Sequence, residues 1–203
     1  MERIDNWDIV EAKGMDDFKS LPIGAYECVI KDARVNKNEE TGKETFKVSI
    51  DIASGEYKDY FQKRFDNNTM HPRKWDNNAT RYLAFQGDNV SYFKGFITCV
   101  ENSNIGYKWD WDESKLTGKK ICGVFQYEEY EKQDGTKAVK VRLNKFRSLE
   151  KMKELNDNVN DSVKLLNGSY VSIDDYNERK EEKNGDPFKG LEDVVEITDS
   201  FLD

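Results

Sequence analysis

The fold is decided by the stretch TFKVSIDI, residues 45–52, in which polar and apolar side chains alternate without a break. This period is typical of a β-strand with one buried face. The apolar members of the stretch are Phe46, Val48, Ile50 and Ile52. Its polar members, including Ser49 and Asp51, are predicted to face solvent. Residues 25–35 have the same period, and the turn-forming residues 36–43 separate the two, so the pair predicts a β-hairpin.

The pattern changes after this hairpin. Residues 56–65 are rich in aromatic side chains and predict a third strand. From Asp76 onward the spacing predicts helix, first over residues 82–85 and then over 90–100, where apolar residues recur at intervals of three and four. We therefore expect a helical insert after the third strand.

Two more strands are predicted at residues 120–131 and 137–147, because the Asp134-Gly135 turn between them is a strong hairpin signal. Three strands, a helical insert and a closing hairpin follow one another in the order of the OB fold, a small five-stranded barrel. The predicted fold is therefore mainly β, a five-stranded OB-fold barrel with a helical insert between strands 3 and 4 and a disordered acidic C-terminal tail.

Charge is unevenly distributed along the 203 residues. The formal net charge is -8, and residues 174–203 alone hold 11 acids against 4 bases. The region up to residue 189 has few apolar side chains to bury, so we predict a disordered tether there. The expected organisation is an N-terminal arm (1–20), an OB-fold domain (21–150), a helical or irregular extension (151–173) and a disordered acidic tail (174–203).

Composition argues against several classes of protein. The mean hydropathy of -0.90 and the lack of a long apolar run predict no membrane span, and the acidic first 20 residues do not resemble a signal peptide. The cysteines Cys28, Cys99 and Cys122 have no close spacing, so neither a disulfide framework nor a metal knuckle is expected. His71 is the single histidine, which disfavours catalytic triads. No cofactor or metal is expected.

Several short motifs carry a resemblance to a known family. They are Leu21-Pro22-x-Gly24-x-Tyr26, Thr41-Gly42-Lys43, the alternating strand 46–52, Phe93-x-x-Phe96 with Asn102-Ser103-Asn104, Leu116-x-Gly118-Lys119, and Tyr130 before Asp134-Gly135. Over about residues 20–150 the chain resembles phage-encoded single-stranded-DNA-binding proteins of replication and recombination modules. The resemblance implies an OB fold that coats single strands without sequence preference in the cytoplasm of a bacterial host, and it implies no enzymatic activity.

Single-strand binding requires cations for phosphates and flat side chains for bases. Basic and aromatic residues are interleaved over 57–82, and bases are concentrated over 137–153. Trp75 is a candidate base platform because it lies in a polar, basic stretch. The predicted nucleic-acid-binding residues are Lys47, Tyr60, Lys63, Arg64, Arg73, Lys74, Trp75, Lys140, Arg142 and Lys145.

The end of the chain predicts a partner-binding site. Apolar side chains there alternate with acids, a composition suited to docking in a basic-rimmed pocket. The predicted contact residues are Asp199, Phe201, Leu202 and Asp203. The arrangement resembles the acidic tip of bacterial single-strand-binding proteins, which recruits replication and recombination partners, although the usual terminal Pro-Phe is absent. The tail is also predicted to compete with DNA for a cationic groove.

Three alternatives remain open. The cluster Asp110, Asp112, Glu113 and Lys115 is only loosely similar to a metal-dependent nuclease site. The second alternative is a phage interaction protein that binds a host factor through an acidic surface, which imitates nucleic acid. The third concerns the acidic tail, which could serve only as a solubilising segment or form a short helix packed on the body. A homodimer is possible through a long edge strand.

Overall fold

The computed structural model describes residues 20–184, with side chains placed up to residue 179. The described part is mainly β and contains one seven-stranded sheet together with four α-helices. The strands are β1 (Gly24–Lys37), β2 (Glu44–Ile52), β3 (Thr80–Leu83), β4 (Lys120–Glu131), β5 (Lys137–Arg147), β6 (Val163–Lys164) and β7 (Tyr170–Val171). The helices are α1 (Tyr60–Asp66), α2 (Val90–Ser103), α3 (Met152–Asp157) and α4 (Ile173–Asn184).

The sheet is built around β1, which pairs antiparallel with both β2 and β4. β3 extends the sheet from β2, and β5 pairs antiparallel with β4. The sheet does not close into the predicted barrel, because within residues 20–184 no ladder joins β3 to β5. The predicted number of five strands is also too low. β6 runs parallel to the distal part of β4, and β7 pairs with β6.

The interior face of the sheet confirms the hydrophobic alternation of the sequence. The four apolar residues of β2 are almost fully buried, and they pack with Cys28 and Ile30 of β1 and with Ile121 and Phe125 of β4. Gly123 is required at the centre of this face. A Cβ atom there would lie 2.9 Å from the Cys28 Sγ and 2.9 Å from the Ile50 Cδ1, closer than side chains pack.

Helix α2 covers one end of this core. Its buried residues Phe93, Phe96, Ile97 and Val100 recur at intervals of three and four, as the sequence predicts. Phe96 contacts Phe146 of β5, with 5.0 Å between ring centroids, and Phe93 contacts Phe46 of β2, at 4.9 Å. The helix therefore connects the two halves of the sheet.

Two local predictions are wrong. Residues 56–65 were expected to form a strand, but the chain turns there and forms α1. The segment around residues 82–85 was expected to be helical, but Thr80–Leu83 is β3. The register explains the second difference, since Thr80 pairs with Ser49 of β2 and their hydroxyl groups are hydrogen-bonded at 3.1 Å.

The second half of the polar face of β2 is buried, contrary to the prediction. Ser49 and Asp51 are each only 1% exposed. The Asp51 carboxylate accepts hydrogen bonds from the backbone amides of Phe61 (2.9 Å), Gln62 (3.1 Å) and Ile52 (2.9 Å). Two of these amides belong to the first turn of α1, whose N–H groups have no partner within the helix. Asp51 therefore fixes α1 to the sheet.

The C-terminal extension packs on the opposite side of the sheet. α3 and Leu149 cover Ala25, Cys122 and Val124. Asn156 secures this contact, because its amide accepts from the Ala25 N–H at 2.7 Å and donates to the Ala25 carbonyl at 2.9 Å. Residues 151–173 are thus a mixture of helix and short strands, and not an unpacked extension.

The predicted disorder from residue 174 is wrong for residues 174–184, which belong to α4. The Ser172 hydroxyl accepts the Asp175 N–H at 3.0 Å and so caps this helix. Tyr176 is only 9% exposed, and burial, together with the nearby Glu129, raises its pKa. The polar composition of this segment predicted disorder, but the burial of Tyr176 anchors the helix to the rest of the chain. Residues 1–19 of the predicted arm (1–20) and the tail beyond residue 184 lie outside the described residues.

None of the helices within residues 20–184 is both long and apolar enough to cross a membrane.

Replacement of Asp51 tests the connection between α1 and the sheet. Burial raises the pKa of Asp51 above its ordinary value, and the hydrogen bonds from Phe61, Ile52 and Gln62 oppose this rise. Asp51→Asn places a donor against a backbone N–H, so we expect the free energy of unfolding to fall by about 2 kcal/mol in urea titrations. The exposed Asp59 provides the same substitution as a control. A similar, small effect of both variants would contradict the role of Asp51.

Candidate nucleic-acid interface

The predicted binding residues fall into three places on the surface. One group lies on α1 and in the segment that follows it, comprising Tyr60, Lys63, Arg64, Arg73, Lys74 and Trp75. Another lies on β5 and comprises Lys140, Arg142 and Lys145. Lys47 is on β2 and is paired with Tyr82 of the neighbouring strand β3. The tail residues Asp199, Phe201, Leu202 and Asp203 lie outside the described part of the chain.

A groove between α1 and β5 brings the first two groups together. It encloses about 340 Å³ and is hereafter called the α1–β5 groove. Arg64 and Tyr60 line it from α1, and Lys140 lines it from β5. Its remaining lining residues are Ser20, Leu21, Phe61, Asp76, Asn78, Tyr127, Val139 and Val141. Residues about 76 positions apart in sequence thus line one depression with aromatic walls. Arg64 is its cation from α1, whereas the Lys140 ammonium lies over the ring of Tyr130, which is not among the lining residues.

A second depression adjoins this groove, because Arg64 and Asp76 line both. It encloses about 390 Å³ and is bounded by Lys74 and Phe65, with the amides of Asn67 and Asn68. The side chains of Lys63 and Arg73 are exposed nearby in sequence but do not line either depression. Arg64 therefore stands at the junction of a continuous polar and basic surface.

The cations of this surface differ in how far their charge is compensated. Arg64 Nε donates to Asp76 Oδ2 at 3.1 Å, and Arg142 donates to Glu128 at 3.0 Å. Within the described residues, ion pairs are absent for Lys47, Arg73, Lys74, Lys140 and Lys145. The uncompensated lysines and Arg73 are consequently the better phosphate ligands, whereas Arg64 and Arg142 must exchange a carboxylate for a phosphate.

Arg142 is part of a half-buried network and is less available than the sequence suggested. Burial lowers the pKa of the neighbouring Arg81, and Glu128 opposes this effect while Arg142 adds to it. Glu128 thus faces two guanidinium groups. Since a buried cation is costly without a counter-ion, Glu128 and Arg142 stabilise the surface around β5. The Arg142 Nε has no partner in residues 20–179.

Lys145 lies away from the α1–β5 groove. It pairs with Val124 of β4, and directly paired residues share a face of the sheet. Val124 packs against Leu149, Met152 and Leu155, so Lys145 is beside α3. Lys140 instead lies 4.9 Å from the centroid of the Tyr130 ring, a cation–π contact that orients its ammonium group.

Trp75 has a packing role as well as its predicted binding role. Its indole N–H donates to the Ile50 carbonyl at 3.2 Å, and its ring lies 5.7 Å from that of Phe65. Lys31 lies over the ring at 5.9 Å. The side chain is half-buried at the edge of the core. The polar sequence around Trp75 gave no sign of this contact, because Ile50 is 25 positions away.

The structure also reveals two residues that the site prediction omitted, Arg34 and Tyr82. They flank the predicted Lys47 in one cross-strand row on β1, β2 and β3. Tyr82 is 46% exposed, and it borders a depression of about 360 Å³ with Lys43 and Thr41 of the β1–β2 loop. The alternation in β1 and β2 places Arg34 and Lys47 on the polar face, but only the register shows that they are neighbours.

The acidic cluster of the nuclease alternative is held by internal contacts. Lys115 forms ion pairs with Asp110 and Asp112, and Asp112 also accepts from the backbone and hydroxyl of Ser114. Hydrogen bonds from Ser114 and the proximity of Lys115 hold the pKa of Asp112 below its ordinary value. Among the described residues, no group of three or more His, Cys, Asp or Glu side chains is placed to hold a metal ion. The three cysteines are free thiols.

Comparison with known proteins gives no further guidance. The sequence matches no protein-family model, and no curated protein resembles it closely enough to count as a relative.

The packing role of Trp75 is tested by its replacement with leucine. The Ile50 carbonyl would lose its donor and the Phe65 ring its neighbour, so we expect the free energy of unfolding to fall by about 2 to 3 kcal/mol. Trp111 is a matched control because it is 80% exposed. We expect Trp111→Leu to change stability by less than about 0.5 kcal/mol. Equal effects in urea titrations would show that Trp75 is not anchored.

Proposed function

We propose that this chain binds single-stranded DNA without sequence specificity. The observation that carries the proposal is the α1–β5 groove, in which Arg64 and Tyr60 of one basic segment meet Lys140 of the other. Proteins of this type combine a cationic track for phosphates with aromatic rings for bases. Both components are present in one depression, although they are far apart in the sequence.

The strand pairing supports an OB-type fold. β1 pairs with β2 and β4, β3 with β2, and β5 with β4, while α2 lies between β3 and β4. This is the connectivity of an OB barrel, which is often partly open. β3 and β5 approach each other in space, at the place where such a barrel would close. On this interpretation, β6, β7 and the terminal helices are additions to the barrel.

An OB-type fold commonly binds oligonucleotides on the face of its second and third strands and on adjoining loops. Here that face carries the row Arg34, Lys47 and Tyr82, and the adjoining β1–β2 loop contributes Lys43. The proposed path of the strand runs from this row to the α1–β5 groove and the depression beside Lys74. Lysine and arginine side chains neutralise phosphates along the path. Bases stack on the accessible rings, with Tyr82 and Tyr60 as the main platforms.

The net charge of -8 is compatible with this function because the acids are segregated. Residues 185–203 contain six acids and one base. Once residues 174–203 are set aside, the remaining chain has 28 bases against 29 acids, and its cations can dominate locally. We propose that the acidic tip recruits replication or recombination proteins through Phe201 and Leu202, flanked by Asp199 and Asp203. The resemblance to phage proteins supports the same role in a bacterial host.

Charge reversal in the groove tests the binding surface. Lys140→Glu and Lys74→Glu each replace a phosphate ligand by a repelling group, so we expect affinity for labelled oligo(dT) to fall about tenfold or more at low salt. Lys94→Glu on α2 makes the same charge change outside the groove and serves as the control. Fluorescence anisotropy at several salt concentrations measures both affinity and its salt dependence.

The salt dependence of oligo(dT) binding distinguishes the groove variants from the control. Loss of one phosphate contact should reduce the slope of log affinity against log salt by about one for the groove variants and leave it unchanged for Lys94→Glu. If the wild-type chain shows no salt-sensitive preference for single strands over an equally long duplex, the proposed function is wrong.

Removal of residues 185–203 tests competition by the tail. If the tail occupies the cationic groove, truncation after residue 184 should tighten oligo(dT) binding at low salt, and the gain should disappear at high salt. The truncation keeps every described element, including α4, and a urea titration checks that stability is unchanged. A full-length variant with the six tail acids replaced by Asn or Gln should reproduce the gain. Unchanged affinity in both proteins would exclude competition by the tail.

A further inference from the structure

The loop between α2 and β4 presents a tryptophan to solvent. Trp111 is 80% exposed, and its backbone has the left-handed conformation, with φ of 70°. Bulky residues rarely adopt this conformation. The Trp111 ring lies 6.1 Å from that of Trp109, which packs against the core beside Phe93. Tryptophan is enriched among the residues that contribute most to protein–protein contacts, so this side chain is a candidate for such a contact.

Contacts within the chain hold this loop in place. The backbone N–H of Trp109 donates to Glu101 of α2 at 3.0 Å. Lys115 forms ion pairs with the two aspartates that flank Trp111 in sequence. A side chain that is already held in place loses little conformational entropy when it binds. Trp111 is therefore suited to insertion into a pocket of another molecule.

The charge around Trp111 indicates the kind of pocket that it fits. Residues 110–115 contain three acids and one base. Lys115 offsets part of this charge, whereas Glu113 forms no ion pair within the described residues. Acidic surroundings repel the phosphates of nucleic acid and favour a pocket with a basic rim. The fitting partner surface is therefore apolar at its centre and cationic at its edge.

The chain itself carries such a pocket, the depression beside Lys74. It encloses about 390 Å³, with Phe65 as an aromatic wall and with Arg64 and Lys74 as cations. The Asp76 carboxylate, which also lines it, is already paired with Arg64. Residues 63–74 contain four bases against one acid. The volume lies in the range of pockets that take up small ligands, so it can accommodate one indole ring.

We propose that the free chain associates with itself head to tail, with Trp111 of one copy inserted into the depression beside Lys74 of the next copy. The indole ring then packs on Phe65, and the cations of the depression face the acids beside Trp111. The two contacting surfaces are different, so every copy offers both of them. Such a contact forms chains or rings and not a symmetric dimer. It also differs from pairing of two copies through an edge strand.

The contact covers part of the proposed path of the DNA strand. Arg64 and Lys74 can then face either a neighbouring copy or a phosphate. Single-stranded DNA and self-association therefore compete for the depression. This consequence rests on the proposed function, whereas the self-contact itself does not.

Sedimentation velocity of the full-length chain at increasing protein concentration tests the contact. The wild type should form larger species at low salt that dissociate at high salt. Trp111→Ser and Lys74→Glu should each weaken the association about tenfold or more, because each removes one side of the contact. Tyr170→Ser, at a 52% exposed ring on β7, and Lys153→Glu, at an exposed position on α3, are the controls and should associate as the wild type does.

A mixture of the two defective variants tests the head-to-tail geometry. Trp111→Ser keeps the pocket, and Lys74→Glu keeps the inserted tryptophan. An equimolar mixture should therefore form a dimer and no larger species, a result that a symmetric contact does not give. Both positions are exposed, so urea titrations of the two variants should give the wild-type midpoint.

Three results would overturn the proposal. They are a wild-type chain that stays monomeric at every concentration, an association that both variants retain in full, and a mixture of the variants that forms no dimer. The second result would assign the association to another surface of the chain.

The sedimentation experiments contain no DNA, so they separate this inference from the proposed function. A monomeric chain that binds oligo(dT) would leave single-strand binding intact, and an associating chain that does not bind oligo(dT) would leave the self-contact intact. Where both hold, equimolar oligo(dT) should dissociate the wild-type assemblies. Assemblies that persist with bound oligo(dT) would exclude the competition.

Discussion

The position of the candidate interface depends on one buried carboxylate. Asp51 projects from the polar side of β2 and accepts the first amides of α1, Phe61 N–H and Gln62 N–H. These bonds determine where α1 lies against the sheet, and thereby where Tyr60 and Arg64 face β5. Stacking of Phe61 on Phe125 of β4, with 5.8 Å between ring centroids, completes the attachment. The groove is thus a consequence of a polar contact at one strand and an aromatic contact at another.

The pairing of the strands positions the other basic side chains of the surface. Pairing through β1 and β4 sets β5 opposite α1, and the small Gly123 leaves room for Cys28 of β1 and Leu143 of β5, whose side chains both lie beside it. The same ladder aligns Arg34 and Lys47 beside Tyr82. Basic side chains from distant parts of the sequence therefore converge without any motif that encodes their proximity. Compensation by Asp76 and Glu128 leaves the lysines as the most available charges.

Sequence patterns predicted the regular elements well where burial is one-sided. The strands β1, β2, β4 and β5 and the helix α2 follow their periodicities within a few residues. The patterns failed where a long-range contact decides the conformation. The aromatic residues of 56–65 suit a strand by propensity, but Asp51 accepts the amides of Phe61 and Gln62 at the start of α1. Similarly, burial of Tyr176 accompanies helix formation in part of an acidic segment. For the site, residue types were predictable, whereas the ion pair of Arg64 and the packing of Trp75 depend on partners 12 and 25 positions away.

We propose that one surface, formed by α1, the following segment and β5, binds single-stranded DNA. An amide chemical-shift titration of the labelled full-length chain with oligo(dT) tests this proposal. We predict the largest shifts at residues 60–64, 74–78 and 139–141, with smaller shifts along the row that contains Lys47 and Tyr82. The absence of shifts, or shifts confined to α2 and the loop around Trp111, would contradict the claim.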